Sequence, residues 1–222
     1  MSEARVPEEL LCFVASDLHP VRPLWTPGRR ALAFAPMGLL LLVGVPGFWG
    51  WRHNLSALSP SLAWGVSALQ AFAGLVIVAL GLRESVPGRD LSRVTLAAIA
   101  AGAGTLILAV TLLTDALVPT AVPAGADWRY AWECFGMIAG PGVLALAVAA
   151  WLALRALPVR PAVAGSLCGL GAGLMADAGA RLFCWVSTPG HVLLAHGGAI
   201  VGLTLLGAAA ATLAERLPRR SG

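Results

Sequence analysis

Four cysteines, Cys12, Cys134, Cys168 and Cys184, hold most of the chemistry this sequence could perform. A thiol pair can become a disulfide where the surroundings are oxidising. Two thiols with a histidine or carboxylate would suit a soft metal such as zinc. Cys12 lies in a polar head, where thiols stay reduced if the head is cytoplasmic, and Cys168 reads as a small core residue. Cys134 opens one apolar run and Cys184 closes the next, so two consecutive antiparallel helices deliver both thiols to one surface. His53, Asp115, Glu133, Asp177, His191 and His196 fall in the same layer. The spacing matches no named zinc motif, and neither a metal nor a cofactor is expected. A redox-active pair, a metal-responsive pair and a structural pair all stay open on the residues alone.

The stretch Gly165–Cys184 must position one of these thiols. Gly165, Gly169 and Gly173 recur every four residues and stack on one helix face. Asp177 and Arg181 continue that face. Small residues let membrane helices approach closely, and a carboxylate with a guanidinium cannot face lipid. The stretch predicts a central helix carrying an Asp177–Arg181 ion pair towards Cys184. His196, on the next apolar run, reads as a hydrogen-bonded core histidine.

The chain of 222 residues is 58% hydrophobic and 12% charged. Soluble domains carry about a quarter charged residues, so an all-α integral membrane bundle is expected. Six apolar runs reach the ~20 residues a spanning helix needs: Ala31–Trp51, Leu62–Leu82, Val94–Thr114, Ala131–Leu154, Ala162–Phe183 and Val192–Ala214. The connections are short. Residues 1–30 form a head, 31–214 the membrane domain and 215–222 a tail. All 15 basic residues are arginine. Arg5, Arg22, Arg29, Arg30, Arg83, Arg89, Arg93, Arg155, Arg160, Arg216, Arg219 and Arg220 would share the head's side, against Arg52, Arg129 and Arg181 opposite. The positive-inside rule then puts both termini in the cytoplasm. Trp49, Trp51, Trp64, Trp128, Trp132 and Trp185 would form an aromatic belt at the outer boundary.

In the head, Pro7, Glu8 and Glu9 resemble a helix start. Leu10, Leu11, Val14 and Leu18 make an apolar stripe, and Pro20 and Pro23 end it. Such a helix could lie on the membrane surface or dock on a cytoplasmic partner. Enzyme signatures are missing: there is no C-x-x-C, Walker motif, H-E-x-x-H or G-x-S-x-G. A non-enzyme is expected, with a thiol oxidoreductase or a small transporter lined by Asp177, Arg181 and His196 as the rivals.

Several segments in order carry a likeness: DLHPVRPL (Asp17–Leu24), RESVPGR (Arg83–Arg89), WECF (Trp132–Phe135), PVRPAVAG (Pro158–Gly165), then Cys184 and an early histidine in the sixth run. In order and spacing this resembles the NrsF family of six-span bacterial anti-sigma factors over nearly the whole chain. It departs in having no proline directly after Cys184. The resemblance implies an inner-membrane protein whose partners are membrane lipid and an extracytoplasmic-function sigma factor, without direct nucleic-acid binding. It implies that Cys134 and Cys184 sense stress. It also implies sigma-factor binding by the head, at Glu8, Glu9, Leu10, Leu11, Val14, Asp17, Leu18, Val21, Arg22, Pro23 and Leu24. Cysteine chemistry would then alter how the fourth and fifth spans meet, with the glycine face making that contact close.

Overall fold

A computed structural model describes residues 7–16, 23–120, 127–156 and 158–216. Among these the chain is entirely helical: α1 (Glu8–Ser16), α2 (Pro27–Trp49), α3 (Pro60–Glu84), α4 (Arg93–Leu117), α5 (Asp127–Leu154), α6 (Pro161–Arg181), α7 (Pro189–His191) and α8 (Gly198–Arg216). A π-helical turn, Val192–Gly197, joins α7 to α8, and the three run together as Pro189–Arg216. Among the described residues, six helices are long and apolar enough to cross a membrane. Their exteriors carry Leu39, Leu40, Phe72, Leu144 and Leu205, exposed apolar side chains of the kind that lipid covers.

The helix starts are set locally. Thr26, Ser59 and Ser92 cap α2, α3 and α4, each side chain accepting from a backbone N–H three residues on. Proline occupies the first turn of α2, α3, α6 and α7, where its missing N–H costs nothing. These signals start several spans a few residues before their apolar runs.

The core gathers around α6. Within its most apolar stretch 78% of residues are buried, against 17% for α4, so α6 is the hub and α4 the rim. Gly165, Gly169 and Gly173 lie against the backbone of the last span at Gly207, Leu203 and Ile200. This corrects the expected partner of the glycine face, which meets the sixth span and not the fourth. The reason is that α6 is surrounded: Gly171 faces Gly74 of α3, Gly179 faces Leu41 of α2, and the remaining sector meets α5.

At the end where α2 begins, buried charges tie the helices together. Arg30 donates to the carbonyls of Leu82 (2.9 Å) and Leu152 (2.8 Å), in the last turns of α3 and α5. Those are the carbonyls a helix leaves unpaired. Glu84, fully buried, accepts from the Leu91 N–H at 2.6 Å and pairs with Arg160, which also donates to the Leu91 carbonyl. Thus the RESVPGR and PVRP segments are in contact.

Candidate functional site

The opposite end of the bundle brings Cys134 and Cys184 together. Cys134 sits near the start of α5. Cys184 follows α6, where its N–H bonds the Ala180 carbonyl. The sulfurs are 3.5 Å apart and both thiols are free. His191 Nε2 stands 3.4 Å from Cys184 Sγ. One donor atom from each of Cys134, Cys184, His191 and His196 lies within 4.8 Å of the others. Cys134 is half-buried and the other three are buried. Arg52 braces the loop from outside: its N–H bonds the Leu182 carbonyl and its guanidinium the Arg181 carbonyl. Ser187 ties the loop to Val118 and Thr120.

The π-turn explains how two histidines five residues apart share the site. In a regular α-helix they would point roughly 140° apart. Hydrogen bonds of the i→i+5 type widen the winding to about 4.4 residues a turn, so residues five apart return near one face. Both rings therefore turn inwards, with centroids 5.7 Å apart.

Behind the cluster Asp177 is fully buried and accepts three bonds, from Gln70 Nε2 (2.5 Å), Arg181 Nε (3.0 Å) and His196 Nδ1. The expected Asp177–Arg181 contact is present, within a larger network. His196 is engaged through Nδ1 and its Nε2 is buried without a partner, as is His191 Nδ1. The thiol of Cys134, donating to Cys184 Sγ, holds the Cys184 thiol below its ordinary range with help from His191 and His196, against burial, which would raise it. Beside Arg181, Cys184 and His196 is a cavity of about 20 Å³, room for one water.

Sequence reasoning singled out Cys134, Cys184, Asp177, Arg181 and His196. It left His191 in a wider layer and missed Gln70. A polar side chain in an apolar run was the available signal for Gln70. His53, also in that layer, packs on Trp185. In the head, Glu8, Glu9, Pro23 and Leu24 are exposed. Leu10, Leu11 and Val14 lie on the α1 backbone, their side chains outside the described set, and Asp17, Leu18, Val21 and Arg22 fall outside the described residues. The head joins the bundle at the end of α2 remote from the cysteines. Near that join a groove of about 580 Å³ is lined by Pro23, Leu24, Trp25, Trp151 and Arg155.

A family model described as NrsF, negative regulator of sigma F, matches residues 14–216. No curated protein and no solved structure matches the chain.

Proposed function

Because the chain belongs to the NrsF family of negative regulators of sigma F, we propose that it is an anti-sigma factor of the bacterial inner membrane, with both termini cytoplasmic. Its head holds an extracytoplasmic-function sigma factor, and Cys134 and Cys184 govern release from the periplasmic side. The observation that carries this reading, beside the family, is the 3.5 Å approach of two free thiols at the end of the bundle remote from the head. Such a pair can lose two electrons and two protons to an oxidant such as a peroxide, forming a disulfide. It can equally exchange its protons for a thiophilic cation. Either event changes how α5 meets the loop after α6.

In the head, the sequence spacing of Leu10, Leu11, Val14 and Leu18 suits a partner helix. Glu8, Glu9 and Asp17 complement basic surface that a sigma factor otherwise presents to promoter DNA. Arginine asymmetry supports this orientation.

The test is capture of the sigma factor by full-length protein in native membranes. Leu11→Asp combined with Val14→Asp should abolish co-purification and leave the sigma factor constitutively active. Retained capture and silence would refute the head's role. An impermeant thiol reagent on intact cells should leave Cys12 unmodified; labelling of Cys12 would place the head on the wrong side.

A further inference from the structure

We propose that Cys134, Cys184, His191 and His196 form a tetrahedral S2N2 site for a zinc-class divalent cation. This deepens the reading of Cys134 and Cys184 as the regulator's input and rests on it for its biological meaning, though not for its chemistry.

The donor set comes first. Two sulfurs and two imidazole nitrogens in a tetrahedron are a zinc set, and a closed set of four protein ligands is the structural type. Zn–S near 2.3 Å and Zn–N near 2.0 Å give ligand–ligand edges of roughly 3.3–3.8 Å. Cys134 Sγ to Cys184 Sγ is 3.5 Å and Cys184 Sγ to His191 Nε2 is 3.4 Å, so these two edges already have the right length. The widest separation in the set is 4.8 Å, and a contraction of about an ångström closes it.

An independent feature points the same way. His196 is 1% exposed, yet its Nε2 has no hydrogen-bond partner. A buried imidazole nitrogen left bare costs stability. Its other nitrogen, Nδ1, is held by Asp177, which is in turn held by Arg181 and Gln70. A carboxylate that fixes the Nδ1–H tautomer and leaves the Nε2 lone pair free is the usual support behind a metal-binding histidine. The π-turn that rotates His191 onto the same face is a further device with this effect.

Charge also fits. In the bound state both cysteines are thiolates, any thiol proton having passed to solvent, and the two thiolates cancel the dication. Asp177 and Arg181 cancel each other, and Arg52, itself buried, directs its charge to the Arg181 carbonyl and Asn54 rather than to the cluster. A buried site demands such neutrality.

The experiment uses full-length protein in detergent, reduced and stripped with chelator, then given one equivalent of zinc and desalted. About one zinc per chain should remain. Cobalt in its place should give intense tetrahedral d–d bands and a thiolate-to-metal charge-transfer band. Cys134→Ser, His191→Ala and His196→Ala should each weaken zinc binding at least tenfold, whereas Cys12→Ser and His53→Ala should not change it. In the wild type, zinc should slow maleimide modification of Cys134 and Cys184 at least tenfold and leave Cys12 unaffected; this measurement needs no variant to fold. Failure of the wild type to retain zinc, an absent charge-transfer band, or unprotected thiols would overturn the site. So would wild-type affinity in both histidine variants. Sigma-factor capture measured on the same preparations separates the two claims: cysteine-dependent capture without zinc binding removes the metal and keeps the regulator.

Discussion

His196 bonds Asp177 through Nδ1, from one span to the next, and so turns its other nitrogen towards two sulfurs. The contact gives a carboxylate buried near the C-terminal end of α6 an influence on the chemistry of the thiols. Asp177→Asn keeps the size of the side chain but weakens its hold on the Nδ1 proton. Zinc affinity should fall about 10- to 100-fold. Titration against a competing chelator measures this, with helical content followed in parallel to show that the fold persists.

The Cys184 thiol should react as a thiolate well below the pH of an ordinary one. Cys134, His191 and His196 face it directly, with Arg52 and Asp177 behind. Because its pKa is lowered, the alkylation rate should fall less steeply between pH 8 and 6 than that of an ordinary thiol. An ordinary thiol, with a pKa of about 8.5, slows close to tenfold per unit there. In the metal-free protein His191→Ala should bring Cys184 nearer to that steeper profile. Mass spectrometry of alkylated peptides against pH reads both.

A methyl group on the α6 glycine face should cost stability where α8 touches it. At Gly169 an added Cβ would overlap the Leu203 carbonyl, whereas at Gly104 it would meet nothing within 4 Å. Gly169→Ala should destabilise by about 1–3 kcal/mol. Gly104→Ala should be neutral or gain up to ~1 kcal/mol from helix propensity. Thermal unfolding in one detergent compares the two.

Removing the guanidinium of Arg30 should loosen the other end. Arg30→Met fills similar space but removes the guanidinium from both carbonyls, leaving Leu152 without its side-chain donor and Leu82 with only the Ser85 hydroxyl. The expected loss is about 3 kcal/mol, two charge-assisted bonds less the cost of burying the charge. Unfolding midpoints should drop accordingly, while zinc affinity at the far end should be unchanged.

The six spans were legible because a twenty-residue apolar run has few other uses; the alternation of antiparallel helices put Cys134 and Cys184 at one surface, and only the family resemblance made them a pair. His191 was harder. A regular helix separates it from His196, and nothing in VLLAHG announces a π-turn. Gln70 was passed over because it sits singly in an apolar run, and Glu84 because it reads as part of the polar RESVPGR turn; their partners, Asp177 and Arg160, lie far along the chain. The glycine repeat showed that α6 is tightly packed, but periodicity names a face and not the neighbour that covers it. That neighbour depends on how three other helices share the remaining sides.

Helix α5 has Cys134 near one extremity and Leu152, whose carbonyl Arg30 grips, near the other. The distance between them is about 27 Å at 1.5 Å a residue. Pro141 interrupts the ladder between them, giving the shaft a soft joint. A pull or twist applied at the sulfurs therefore has a solid body to travel along and a defined place to bend. Arg30 stands at its foot, a single helical turn beyond Thr26, where α2 begins.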